Sequence, residues 1–384
     1  MAATAAEKRS TSAPDLRSKA GMAAQFTLSG ALRRLEVDGR SVLLYPASEL
    51  ESGPANLYLR ITGKAIVVKA LLGPGSDGRI RWTPEGPVVY GRWRDLEYRA
   101  AFRLAAAVPA WFWHVEVVNR MADPCQVDLI YAQDIALAPY QAVRTNEYYL
   151  SQYLDLTPIA TDEVGTAVAV RQNMPGSEAP WVLIGCLREG VGWATDGLQL
   201  GRPARPGDPF PGLLADRLPN ARLQHEHTLV LIQDRSASLA SQERLTTGFF
   251  GIYRSHHSLA TSQEDATEAA VVLRQPEARP SAAVEPDNGT PVIRSLFSFP
   301  SIACVDLTND QLRALVGPES RHAESNASQP LAFFIPNGTH IVLAAKERAV
   351  LRPHGHILRT GDNLVPDPGS LTSTAWMAGI FHSH

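Results

Sequence analysis

Trp111-Phe112-Trp113-His114-Val115-Glu116-Val117-Val118-Asn119 decides the fold class. Successive side chains of a strand alternate between faces, so Trp111, Trp113, Val115 and Val117 share one side while Phe112, His114, Glu116 and Val118 share the other. Both sides carry large apolar groups, and β-branched and aromatic residues dominate. That pattern predicts an interior strand covered on both faces.

Working outward, the same signature recurs in Val127–Ala136, Thr166–Arg171, Trp181–Leu187 and Leu223–Gln233, each bounded by turn residues. Many strands with few helices predict an all-β fold, a large antiparallel sandwich, rather than a parallel α/β sheet. The chain of 384 residues is long enough to bury a substantial core. Strands resume late, at Leu331–Ile335, His340–Ala345 and Ala349–Arg352. This tail is too short to cover a core of its own, so it is expected to complete a single sandwich over 26–384.

Two short helices punctuate the strands. Thr261-Ser262-Gln263-Glu264 has the spacing of a capping box, and an Ala-rich run follows it to Leu273. Thr308-Asn309-Asp310-Gln311 repeats the device, with Gly317-Pro318 as the stop. Between them Gln275–Pro291 is crowded with Pro, Glu, Ala, Asp and Gly and predicts a mobile loop. Residues 1–25 lack the apolar run of a signal-peptide core and predict a disordered leader. Near the end, Ala375–Phe381 is strongly apolar, which implies either a docked last strand or a chain cut short.

Composition narrows the function. A hydrophobic share of 45% against 20% charged is that of a folded chain. The formal charge of -3 provides no basic field to hold a polyanion, so nucleic acid is not expected as a partner. No segment reaches the roughly 18 consecutive apolar residues of a membrane span. Cys125, Cys186 and Cys304 lack metal-ligand spacing and read as reduced thiols, which points to a cytoplasmic protein. Neither a phosphate-cradling glycine loop nor a nucleophile elbow occurs, and no metal or cofactor is expected.

The densest chemical constellation is Asn146-Glu147-Tyr148-Tyr149-Leu150-Ser151-Gln152-Tyr153-Leu154-Asp155. Aromatic faces stack on sugar rings, and amides and carboxylates fix hydroxyls, so Asn146, Glu147, Tyr149, Gln152, Tyr153 and Asp155 form a candidate carbohydrate site. The alternative is a Tyr-rich strand whose hydroxyls reach solvent. Arg171-Gln172-Asn173 supplies polar groups that suit the same surface. His225 and His227 flank Glu226 on the Leu223–Gln233 strand, where alternate residues share a face, and they are candidates for a sugar or a metal, although no third ligand is near in sequence. His354 with His356 and His382 with His384 share that spacing, whereas His256 and His257 are adjacent and would diverge on a strand.

Several of these blocks, taken in order, carry a family resemblance. They are Gly53 to Arg60, Trp111 to Asn119, Asp128 to Asp134, Asn146 to Asp155, Arg171 to Met174, Arg352 to Arg359 and Leu371 to Met377. From about Phe26 onward the chain resembles the amino-terminal β-supersandwich of glycoside hydrolase family 94. The likeness is particularly to 1,2-β-oligoglucan phosphorylases and the phosphorylase-like part of cyclic β-1,2-glucan synthases. One departure is Leu156, where the pattern leads one to expect His.

That resemblance implies a galactose mutarotase-like sandwich joined to an (α/α)6 barrel, in which a carboxylic acid protonates the glycosidic oxygen while phosphate attacks the sugar. The acid and the phosphate pocket would belong to the barrel. Only two short helical signals occur here, so the barrel is expected to be absent from this chain and no catalytic residue is assigned. The implied role is a non-catalytic module that binds a β-glucan oligosaccharide, packs on the barrel and supports a homodimer. Two alternatives stand beside it. Sandwiches of this kind also resemble aldose mutarotases, for which His225, His227 and Glu147 would be the proton-transfer candidates. The other alternative is a structural module that covers its apolar tail with a partner chain.

Overall fold

The computed structural model describes residues 15–48, 52–203, 209–224 and 227–281, together with the short strands at 290–291, 321–326, 329–334 and 340–342. The chain divides into two compact units, Met1–Arg294 and Ser295–His384. In that second unit a small antiparallel sheet joins Arg321–Asn326, Gln329–Phe334 and His340–Val342. The expected helix at Thr308, the strand at Ala349–Arg352, the apolar Ala375–Phe381 and the histidine pairs at 354–356 and 382–384 lie outside the described residues.

In the first unit, Ala110–Asn119 is an interior strand, paired on one side with Leu96–Leu104 and on the other with Arg244–Arg254. It belongs to a large sheet that continues through Trp181–Cys186, Gly165–Gln172, Gly190–Asp196, Thr228–Asp234, Cys125–Asp134 and Asn56–Thr62. Among the described residues, pairing between these strands is antiparallel apart from the parallel contact of Gly165 with Gly190. A five-stranded sheet built from Leu16–Arg17, Met22–Phe26, Leu32–Val37, Arg40–Ser41 and Ala138–Pro139 packs against it. The fold is thus an all-β sandwich in which one sheet is much the larger.

The alternation read in the sequence is what covers both faces of the central strand. Trp111, Trp113, Val115 and Val117 point into the main core, where Phe26 of the smaller sheet meets Phe102 at 5.0 Å and Trp113 at 6.1 Å between ring centroids. Phe112 points the other way into a second cluster with Trp181, Ile252, Ala269 and Val272. The last two residues belong to the helix Thr267–Leu273, which roofs that face. Each fully buried large side chain contributes about 1.5–3 kcal/mol by leaving water, so the aromatic pairs anchor both layers.

Three local expectations shift. Residues 1–25 were expected to be disordered, yet Leu16–Arg17 and Met22–Phe26 are strands, because Met22, Ala24 and Phe26 alternate inward into the core. In the segment expected to be a mobile loop, Pro276–Ala278 forms a helical turn docked on the sheet. His114 Nε2 lies 2.8 Å from the Glu277 carbonyl, and Arg103 donates to the Arg279 carbonyl at 2.9 Å. The capping box sits one residue later than read. Ser262 accepts from the Glu264 amide at 3.3 Å, and Asp265 accepts from the Ser262 amide at 2.8 Å.

Candidate functional site

The constellation expected to contact sugar folds as a short helix, Glu147–Ser151, followed by the strand Leu154–Thr161, so it is not the Tyr-rich strand of the alternative reading. Asn146 caps the helix, its side-chain oxygen accepting from the Tyr149 amide at 3.0 Å. One turn of helix and a tight bend then bring Tyr149 and Tyr153 together. Their hydroxyls are 3.0 Å apart, and their rings meet edge to face with centroids separated by 5.1 Å. Tyr149 is 48% exposed, which is unusual for a ring of its size. The hydrogen bond between the two hydroxyls raises the Tyr153 pKa above the ordinary tyrosine value.

The strand Leu154–Thr161 pairs with Gly165–Gln172, which places Asp155 opposite Arg171 and Leu154 opposite Gln172. Residues opposite one another share a face, so Asp155 and Arg171 lie on the outer side while Leu154 and Gln172 turn inward. Gln172 is 1% exposed and holds the backbone: its Nε2 donates to the Ala136 carbonyl at 3.2 Å and its Oε1 accepts from the Met174 amide at 3.0 Å. Arg171 donates to the His257 carbonyl at 2.9 Å and to the Asn173 side chain. Gln172 is therefore a structural group, and Arg171 fixes a neighbouring turn while remaining part-exposed.

Asp155 pairs with Arg222, which also donates to Gln224 Oε1 at 2.7 Å. That oxygen accepts from the Leu156 amide at 3.0 Å, tying the 222–224 segment to the tyrosine strand. Arg222 and Gln224 were missed in the sequence because nothing local connects them to a partner 67 residues away. The Leu156 side chain points into the main core. At this position, then, the chain contributes packing and not a polar contact.

The histidine expectation changes. The strand begins at Thr228, not Leu223, because Leu223 and Gln224 are drawn off to hydrogen bonds with Thr195 and Leu156. His227 sits in the bend before that strand, its amide donating to Asp196 Oδ2 at 3.0 Å, so the period-two argument for a shared face with His225 does not apply. His225, and the side chain of Glu147, fall outside the described residues. His256 and His257 turn to different partners: His256 Nδ1 lies 2.7 Å from the Glu178 carbonyl, and His257 Nε2 lies 2.9 Å from Asp265 Oδ1. Among the described residues, no cluster of His, Cys, Asp or Glu is arranged to hold a metal ion. No helix among them is long and apolar enough to cross a membrane.

The site as built is a tyrosine pair in which Tyr149 is exposed and Tyr153 half-buried. Near it in the chain and ladder stand the Asp155–Arg222–Gln224 network and, across the ladder from Asp155, Arg171 with Asn173. Such a surface offers ring faces for stacking and both donors and acceptors for hydroxyl groups.

Comparison with known proteins places these observations in a lineage. A 1,2-beta-oligoglucan phosphorylase from Listeria innocua serovar 6a is 28% identical over 372 residues, which is 95% of this chain but 32% of that protein. The chain thus spans about a third of the length of this curated relative. Looser likenesses exist among solved structures. A polysaccharide lyase superposes with a TM-score of 0.40 at 11% identity, covering 64% of this chain and 33% of its own. A galactose mutarotase related enzyme from Lactobacillus acidophilus gives 0.33 at 11%, covering 65% and 99%. Residues 318–384 match a family model described as a glycoside phosphorylase supersandwich domain. Residues 25–251, more than half of the chain, match the model of the SOGP N-terminal domain, and the protein belongs to that family.

Proposed function

We propose that this chain is the sugar-contacting sandwich portion of a phosphorylase-type protein acting on β-linked glucans, with β-1,2-glucan as the first candidate, and that it works in a cytoplasmic setting without supplying the catalytic acid. The observation that carries the reading is the Tyr149–Tyr153 pair, with Tyr149 exposed, beside the Asp155–Arg222 ion pair. Rings of this kind bind the apolar face of a pyranose, while the flanking carboxylate and guanidinium meet its rim of hydroxyls. The similarity to an oligoglucan phosphorylase supports the choice of glucan over other neutral ligands.

Calorimetric titration of the full chain with β-1,2-linked glucooligosaccharides tests it. Binding is expected, and the Tyr149→Ala/Tyr153→Ala double variant should weaken it about tenfold or more, since each exposed aromatic contact contributes on the order of 1 kcal/mol. Binding that ignores this substitution would overturn the site. Phosphate-dependent release of a sugar phosphate from these oligosaccharides by the purified chain alone would overturn the non-catalytic role.

A further inference from the structure

Apart from the tyrosine pair, the large sheet carries a cavity of about 600 Å³ at the end of the strands Asn56–Thr62, Cys125–Asp134 and Thr228–Asp234. We infer that this cavity is a second binding site, for a neutral mono- or disaccharide, independent of the tyrosine pair. The volume lies within the range of about 300–1,000 Å³ typical of small-molecule sites.

The floor is built from buried polar groups whose positions are over-determined. Asp128 is 2% exposed and Gln233 4% exposed, and both line the cavity. Arg60, itself fully buried, grips Asp128 with Nε at 2.6 Å and Nη2 at 2.7 Å, and Gln233 Nε2 donates to the same carboxylate at 3.0 Å. Gln233 Oε1 accepts from the Leu218 amide at 2.9 Å, so the amide cannot flip or swing away. Gly192 makes room for it: a β-carbon there would stand 2.6 Å from Gln233 Oε1.

Arg60 also shapes the rim. Its Nη1 donates to the carbonyls of Leu213 at 3.0 Å and Ala215 at 2.6 Å, and its Nη2 to that of Asp216 at 3.2 Å. A buried guanidinium that binds three carbonyls within residues 213–216 staples that segment to the sheet. The staple holds Asp216 and Arg217 at the mouth, where both are exposed. Burying an arginine is costly unless its donors are all used, and here they fix the edge of an open cavity.

Charge selects the ligand class. Glu189 in the wall pairs with Arg235, and Asp216 and Arg217 add one charge of each sign at the mouth. An anion such as phosphate would meet the carboxylates of Asp128, Glu189 and Asp216, while a cation would meet Arg217 and Arg235. A hydroxyl both donates and accepts, so a lining of carboxylates, guanidiniums and the amide of Gln126 can satisfy several sugar hydroxyls without leaving a charge unmatched.

The test is an NMR titration of the full chain with glucose, with a β-linked glucobiose and, separately, with inorganic phosphate. It is run on the wild type, on Tyr149→Ala/Tyr153→Ala, on Asp216→Ala/Arg217→Ala and on the chain carrying all four substitutions. Sugar binding should persist in the tyrosine variant, and the rim variant should weaken that remaining affinity about tenfold, the scale of lost hydrogen bonds to charged groups. An unchanged urea midpoint confirms that each variant is folded. Complete loss of sugar binding in the tyrosine variant would overturn the second site. So would residual binding unaffected at the rim, absence of sugar binding altogether, or phosphate binding in place of sugar. If the rim variant alone abolishes binding and the tyrosine variant does nothing, the cavity stands and the tyrosine site falls.

Discussion

Gly251 stands directly opposite Trp111 in the ladder between the two central strands, and a β-carbon at Gly251 would lie 2.0 Å from the indole ring. The ring is fully buried and donates through Nε1 to the Tyr131 hydroxyl at 3.0 Å, which passes its own proton to Gln133 Oε1 at 2.6 Å. Glycine at position 251 is therefore a packing requirement of the tryptophan and not a backbone one. Gly251→Ala is expected to lower stability by about 1–3 kcal/mol or more through overpacking, read as a drop in the urea midpoint with little change in the slope.

The Arg60–Asp128 pair gives a second stability test. Removing one partner strands a buried charge, so Arg60→Met should destabilise the fold by about 3–5 kcal/mol. Adding Asp128→Leu to it should recover part of that loss, because the pair is replaced by apolar groups of similar size. Recovery should stop short of wild type, since the carbonyls of Leu213, Ala215 and Asp216 lose their donor. Urea denaturation of the two single variants and the double variant measures the coupling; additivity would show that the pair is not an energetic unit.

What the sequence disclosed, and what it withheld, follows from the range of each interaction. Alternation is local, so Ala110–Asn119 and its neighbours could be read directly from the order of side chains. The cap at Ser262 was misplaced by one because Thr261-x-x-Glu264 and Ser262-x-x-Asp265 both satisfy the local pattern. The choice is made by Trp181, whose Nε1 lies 3.1 Å from the Thr261 hydroxyl. Asp155 with Arg222 and Arg60 with Asp128 are 67 and 68 residues apart, and only strand order brings them together. The tyrosine pair was partly legible, because four residues of separation suit one turn of helix; its exposure was not, since that depends on what the rest of the sandwich leaves uncovered.

Asp134 predicts a pH dependence. Its carboxylate is fully buried, accepts from the Leu44 and Tyr45 amides at 2.7 and 2.5 Å, and is raised by desolvation from 3.8 to about 6. A carboxyl whose folded pKa exceeds its unfolded one binds more protons in the folded state between the two values, so stability falls as pH rises through that window. Taken alone, the shift amounts to about 3 kcal/mol lost between roughly pH 4 and pH 6. Asp134→Asn keeps an acceptor for the two amides and removes the titration. The difference in stability between wild type and variant should therefore change across that window and be flat above about pH 7. A pH-independent difference from urea titrations would refute the assignment.

Tyr149 and Tyr153 can be separated by a spectroscopic test that does not require a ligand. The Tyr149 hydroxyl is the leading cause of the raised Tyr153 pKa, so Tyr149→Phe should return Tyr153 ionisation toward the ordinary tyrosine range. Ultraviolet titration of the phenolate band reads that shift directly. The same variant keeps the ring that would stack on a sugar, so it should retain most glucan affinity, whereas Tyr149→Ala should weaken it. If Phe and Ala weaken binding equally, the hydroxyl makes the contact and the stacking argument fails. If neither variant weakens binding, the pair is a surface ornament of the helix turn and the ligand lies elsewhere on the sandwich.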